Sequence, residues 1–203
     1  FAKWTAAIGG LVTGGGLVVL TKNAIELQSA MANVGTILDK NAPSLDKFNT
    51  AIIDLSKNSS KSAKDLAEGL YDAISSGIPA TLGAGGAMEF LTVAQRAATA
   101  GMSTTKEAVN AGTIVLNTYG EKAGSVAEFY DSFFQTVNRG VITFPQLASS
   151  LGNVTTIASQ SGVGFKELMG GLALVTKNGI QASEATNSLR ALIQSIAAPT
   201  DEA

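Results

Sequence analysis

Acid–base chemistry in this chain falls to carboxylates and lysines alone, because its 203 residues include no histidine and no cysteine. That absence removes the usual general base, the Ser-His-Asp triad, imidazole and thiolate metal ligands, and the cysteine nucleophile. Two acids stand beside bulky apolar neighbours able to desolvate them: Glu89, between Met88 and Phe90, and Glu128, before Phe129 and Tyr130. A glycan-cleaving site needs two carboxylates flanking one bond, one of them with a raised pKa. Neither glutamate has a recognisable partner or an aromatic sugar platform around it, so both read as solvated helix-face acids or caps. The run Gly83-Ala84-Gly85-Gly86 has no strand before it and no Lys-Ser or Lys-Thr after it. It therefore reads as a turn between helices and not as a phosphate cradle. No catalytic residue, metal ligand or cofactor site is assigned, and a non-enzymatic role is expected.

Charge narrows the function classes further. Charged residues make up 15% of the chain, against roughly 25% in ordinary globular domains. The 14 lysines and arginines are scattered and the net charge is −2, so the basic footprint of a sequence-specific nucleic-acid binder is missing. With 45% hydrophobic residues, much of the surface must be Ser, Thr, Asn, Gly or Ala. A surface of that kind suits packing against other protein inside an assembly. The chain opens at Phe1 and closes on Asp201-Glu202-Ala203, and it reads as a piece of a longer polypeptide.

The elements that would carry such a role are helices. Apolar residues recur three and four apart almost everywhere, and sustained strand-like alternation is missing, so the expected fold class is all-α. Leu17, Leu20, Ala24, Leu27, Met31, Val34 and Leu38 step by 3, 4, 3, 4, 3 and 4 residues, the period of a coiled-coil seam. This long N-terminal helix is expected to join copies of the chain, giving a homo-oligomer. Upstream, residues 4–21 form an uncharged run of 18 residues between Lys3 and Lys22, within the lower range for a membrane span. Trp4, Ile8, Leu11, Leu17, Val18 and Leu20 supply its apolar bulk. Its many glycines fit two uses, a tightly packed oligomeric helix or a segment that enters a membrane.

Asn41-Ala42-Pro43-Ser44 stops the long helix, since residues before proline avoid the helical region. The chain divides there into a glycine-rich hydrophobic segment and coiled-coil-like helix, 1–41, and a compact multi-helix bundle, 42–203. Further helices are expected at 44–57, 62–76, 85–100, 104–119, 124–139, 143–160, 164–177 and 182–197. Ala87, Leu91, Ala94 and Ala98 should share one buried face, and Ala185, Leu189, Leu192, Ile193 and Ile196 another. Phe129, Tyr130, Phe133, Phe134 and Val137 form the densest aromatic cluster and read as core. Ser62 with Asp65, Thr104 with Glu107, and Thr143 with Gln146 have the spacing of capping boxes. Gly101-Met102, Gly140-Val141, Gly162-Val163 and Gly179-Ile180 mark helix junctions. In each, the glycine is expected to turn left-handed and the apolar residue to pack against the helix it follows.

Taken in order, these blocks resemble the core region of phage tail tape measure proteins from about Glu26 to Pro199. The matching pieces are Glu26-Leu27-Gln28-Ser29-Ala30-Met31, the start Ser62-Ala63-Lys64-Asp65-Leu66 running to Ser75-Ser76-Gly77-Ile78-Pro79, and Ala100-Gly101-Met102 leading to Glu107-Ala108. The closing block is Ser161-Gly162-Val163-Gly164-Phe165-Lys166-Glu167-Leu168, then Asn178-Gly179-Ile180, then Ala185-Thr186-Asn187-Ser188-Leu189-Arg190-Ala191-Leu192. The resemblance implies a structural tail protein in several copies, lying in the tail tube lumen or at the tip. It would contact tube and tip proteins, set tail length during assembly and leave at genome ejection. Two alternatives share the helical grammar: a membrane-active protein that passes DNA through the host membrane, and a cellular helical adaptor.

Overall fold

The structure, a computed structural model, describes residues 16–197, and these are all helix, turn and loop without a strand. Ten α-helices follow one another: α1 (Gly16–Ile37), α2 (Leu45–Lys57), α3 (Ala63–Ser75), α4 (Ala87–Ala100), α5 (Thr105–Tyr119), α6 (Val126–Arg139), α7 (Phe144–Ser150), α8 (Gly152–Gln160), α9 (Phe165–Lys177) and α10 (Ala182–Ala197). A 3-10 turn, Gly120–Ala123, links α5 to α6.

The expected capping chemistry fixes three helix starts. The Ser62 hydroxyl accepts from the Asp65 N–H at 3.1 Å. Reciprocal boxes close α5 through Thr104 and Glu107, and α7 through Thr143 and Gln146 with Pro145 in the first turn. A third box, Ser125 with Glu128, starts α6. Each box satisfies N–H groups that the first helical turn leaves without partners.

The region expected as one helix over 143–160 is two. The helical ladder is interrupted at Leu151, whose side chain is fully buried, and the Val154 N–H reaches back only three residues to the Leu151 carbonyl. Gly152 follows at once, and glycine lowers the cost of leaving the helix there.

The junction glycines divide into two kinds, which corrects the uniform left-handed expectation. Gly162 and Gly179 do turn left-handed, at φ 78° and 89°. At Gly162 the Val163 N–H reaches the Ala158 carbonyl at 2.9 Å and the Gly162 N–H the Ser159 carbonyl at 3.1 Å, a Schellman motif. Gly101 and Gly140 keep negative φ, −87° and −98°. After α4 the left-handed residue is Met102, at φ 49°, with Ser103 N–H closing the loop on the Ala98 carbonyl at 2.8 Å. Gly101 is needed for space instead: a Cβ there would lie 2.6 Å from Cγ of Phe144. A Cβ on Gly140 would run into the Thr176 hydroxyl. The apolar followers split the same way, since Val163 and Ile180 pack against the core while Met102 and Val141 are 92% and 71% exposed.

Helix α5 lies at the centre, touching α3, α4, α6, α7 and α8. Gly112 allows that, because a Cβ there would stand 2.5 Å from the Tyr130 hydroxyl and 2.8 Å from Cζ of Phe90. The expected α4 face of Ala87, Leu91, Ala94 and Ala98 is fully buried. The α10 face is only partly so: Ala185 and Ile193 are buried and Leu189 half-buried, whereas Leu192 and Ile196 are exposed on the final turns.

Aromatic rings hold the second half together. Phe133 meets Phe144 and Phe165 edge-on at 6.0 and 5.7 Å between centroids, and Phe165 meets Tyr119 at 5.5 Å. Such pairs add about 0.5–1.5 kcal/mol each beyond the area they bury. Phe129, Tyr130 and Phe133 are buried, with Phe134 and Val137 packed at the edge, so the cluster read from the sequence is core.

Candidate interaction surfaces

Helix α1 carries the seam positions. Trp4, Ile8 and Leu11 lie outside the described residues, and Leu17, Val18 and Leu20 fall within the first turns of α1. Ala24 is exposed and Leu27 half-buried. Met31 and Val34 are 3% and 0% exposed and belong to the same core as α3, while Leu38, just past the helix, packs at its edge. The boundary expected near residue 41 is therefore bridged by side chains from α1. Within the described residues, α1 makes no side-chain hydrogen bond or ion pair to another element. Its polar contacts are internal, Thr36 to the Asn33 carbonyl and Lys22 to Glu26 at 3.8 Å.

Beside this contact, α1, α3 and the start of α5 leave an open cleft of about 580 Å³. Ala30 and Asn33 form one wall, and Asp65, Asp72, Lys61 and Lys106 line the rest. Two of its lining residues, Lys61 and Ser103, belong to a polar clasp that the sequence did not announce. The Lys61 ammonium donates to the Ser103 carbonyl at 2.6 Å, and the Ser103 hydroxyl donates to Glu107 at 3.0 Å. Nearby, the Ser59 hydroxyl donates to Gln95 at 2.8 Å, and Ser60 and Thr99 share a hydrogen bond at 3.0 Å. Apart from Ser103 and Glu107, four residues apart, these partners lie 36 to 42 residues apart in the chain, so no local pattern encodes them. The Thr104 N–H, at 2.9 Å, holds the Glu107 carboxyl below its ordinary pKa, with the Thr104 and Ser103 hydroxyls and Lys61 helping against burial.

The two glutamates considered for chemistry serve helix starts. Glu89 accepts from the Gly85 N–H at 2.6 Å, across the glycine run. Glu128 accepts from the Ser125 N–H and hydroxyl at 2.8 and 3.0 Å. Those hydrogen bonds, first the backbone one, hold the Glu128 carboxyl below its ordinary value, and the positive charge of Lys166 adds to the effect. A general acid requires the opposite shift. Among the described residues no group of three acids is placed to hold a metal ion. Two phenols are pushed up by burial: Tyr119 to about 12, with Glu167 contributing, and Tyr130, whose hydroxyl donates to the Ala108 carbonyl at 2.7 Å.

What remains for partners is apolar and weakly charged. Ile25 on α1, Leu174 on α9, Leu192 and Ile196 on α10, and the junction residues Met102 and Val141 are exposed large hydrophobics. No helix among the described residues is long and apolar enough to cross a membrane.

Comparison with known proteins places these features. A family model described as phage-related minor tail protein matches residues 49–203. A probable tape measure protein of Clostridium phage phiCD119 is 33% identical over 161 residues, which is 78% of this chain and 17% of that protein. The tape measure protein of Pneumococcus phage Dp-1 is 25% identical over 178 residues, covering 86% of this chain and 15% of that protein. The chain thus spans about a sixth of the length of these curated relatives. No solved structure matches. A helical body of low charge content, matched over most of its length by tail-protein sequences, belongs to the phage-related minor tail protein family.

Proposed function

We propose that this chain is a compact helical region of a tape measure protein that lies in the tail tube lumen or at the tail tip, sets tail length during assembly and is released during genome ejection. The observation that carries the reading is the match to tape measure proteins across 78% and 86% of the chain. The physics of length measurement assigns this region its part. A continuous α-helix converts residue count into distance at about 1.5 Å per residue. Among the described residues the longest helix has 22 residues and those after it have 16 or fewer, folded onto one core. Such a body adds little length per residue, so the ruler lies in other parts of the protein and this region acts as a folded docking unit. Its partners are tail tube and tail-tip proteins and further copies of itself, met through the neutral, apolar surfaces described above. A structural role needs no catalytic group, and Glu89 and Glu128 are already engaged by their own helix starts.

In-frame deletions placed outside this region, in the remaining helical length of the parent protein, should shorten tails in proportion to the residues removed, as measured by electron microscopy. Deletion of the region equivalent to 45–197 should stop tail assembly and not shorten tails by the corresponding length. Tails of unchanged length after the flanking deletions would sink the ruler role, and normal tails lacking this body would sink its docking role.

A further inference from the structure

Three helices end on the same backbone turn. After α3, α4 and α8, one N–H donates to a carbonyl three residues back and the next N–H to a carbonyl five back. The pairs are Gly77 to Ile74 with Ile78 to Ala73, Met102 to Thr99 with Ser103 to Ala98, and Gly162 to Ser159 with Val163 to Ala158. Glycine is usual at the first donor, which turns left-handed, and an apolar residue after it packs back on the helix. At α3 and α8 that pattern holds, with Gly77 and Gly162 at φ 96° and 78° and with Ile78 and Val163 against the core. At α4 the two roles are exchanged. Met102 takes the left-handed place, the only residue other than glycine with a positive φ among the described residues, and the buried follower is Ser103. Packing against Phe144 requires glycine at 101, but it leaves the residue type at 102 open, since that side chain is 92% exposed. A methionine kept left-handed against its intrinsic preference, with its side chain in solvent, points to a use for that side chain.

Other exposed apolar residues gather beside it. Gly101 lies on Phe144, three residues after Val141. Gly140 in turn lies on α9, where a Cβ would come 3.1 Å from Cα of Ala173, the neighbour of Leu174. Met102, Val141 and Leu174 are all exposed, and each has an exposed cation within four positions: Lys106, Arg139 and Lys177. None of these three cations forms an ion pair among the described residues. The acids in the adjoining first turns are Glu107, tied to its own cap and to Ser103, and Glu184.

We propose that this end of the body is a knob that docks on another protein of the assembly, seating Met102 and Val141 in an apolar pocket whose rim offers carboxylates to Lys106, Arg139 and Lys177. This rests on the reading of the region as a docking unit, and it adds which surface docks and what it meets. Apolar centres with a charged rim are the usual anatomy of such contacts, and complementary charge fixes their register. A shaped protein pocket suits the geometry better than a lipid surface does. A bilayer accepts an apolar side chain in any backbone conformation and gains nothing from a methionine held left-handed.

Met102→Gly separates docking from folding, because it removes the side chain and suits the left-handed turn. Carried in the parent protein of an infecting phage, it should lower the yield of complete tails, counted by electron microscopy, by at least about tenfold. The variant chain should melt no lower than the wild type. Arg139→Glu with Lys177→Glu should also lower the yield, whereas Lys122→Glu, at the far end of α5, should not. Second-site suppressors of the charge reversal should replace Asp or Glu in a different protein; suppressors confined to this one would overturn the acidic rim. Binding of the wild-type chain to phosphatidylglycerol vesicles that Met102→Gly abolishes would assign the surface to lipid and overturn the pocket. An unchanged tail yield with Met102→Gly would overturn the knob and leave the docking unit standing. Normal tails after deletion of the whole region would remove both.

Discussion

Helix α1 and the aromatic half of the molecule are both built from regular apolar spacing, yet they are fastened in different ways. The α6–α7–α9 region is locked by four rings, Phe133, Phe144, Phe165 and Tyr119, in a chain of edge-on contacts. A buried Tyr130 hydroxyl ties that region to α5 through the Ala108 carbonyl. In α1, a helix of 22 residues is held on α3 by apolar packing, with Ala30, Met31 and Val34 buried and Leu27 at their edge, and without a polar tie to another element among the described residues. The difference teaches that periodicity marks which face is apolar but not how firmly that face is held. Firmness comes from ring size, shape fit and polar ties, and the first region has all three.

The comparison can be broken most forcefully at its centre. Phe133→Ala removes a ring that touches Phe129, Tyr130, Phe144 and Phe165. It should cost about 3–5 kcal/mol of stability in chemical denaturation. A loss under about 1 kcal/mol would mean the ring network is not the organising contact. Next in size is Gly101→Ala, whose new methyl meets the Phe144 ring at 2.6 Å. Overpacking of this kind should lower stability by about 1–3 kcal/mol in the same assay. Val34→Ala deletes two methyl groups from the contact of α1 with the body, and at about 0.8 kcal/mol per buried carbon it should cost about 1–2 kcal/mol.

Smaller effects test the junctions. Met102→Gly replaces an exposed side chain held at φ 49° and should raise stability by up to about 1 kcal/mol, seen as a higher melting temperature. The last concerns pH. Glu107 and Glu128 have folded pKa values below the ordinary 4.5, so the stability they confer is complete above that value. It is lost as pH falls through their lowered values. Replacing both with glutamine should flatten the acid limb of melting temperature against pH between neutrality and pH 3. An unchanged acid limb would mean that other carboxylates control it.

Much of this architecture was legible because its signals are local. Ser62, Thr104 and Thr143 capped where their spacing with Asp65, Glu107 and Gln146 required, since a capping box is closed within four residues. The aromatic cluster followed from the crowding of rings on one helix face. What escaped depends on contacts between distant segments. Gly101 looked like a left-handed terminator, but its role is set by Phe144, more than 40 residues away, so the turn passed to Met102. The break beside Leu151 left no residue signal, since Leu151 keeps helical dihedrals and its carbonyl is shared by the Val154 and Thr155 N–H groups. The 3.5-residue spacing along α1 reads as a seam between copies, whereas the sequence carries no sign that Met31 and Val34 have an intramolecular partner in α3. The clasp of Lys61, Ser103 and Glu107 ties the loop before α3 to the start of α5, and although Glu107 was legible as a capping residue, its link to Lys61 through Ser103 spans 42 residues and leaves no motif behind.

Native-state hydrogen exchange on the full chain and on Phe133→Ala tests the contrast most directly, because it reports opening free energies helix by helix. If α1 opens alone, the amides of Met31 and Val34 exchange at the same free energy in both proteins, since their opening leaves the ring network intact. The amides of α6 and α9 fall in free energy by the full cost of the substitution. Amides of α1 that fall in step with those of α6 and α9 would show that α1 opens only with the whole fold, and would contradict the separate fastening of the two regions.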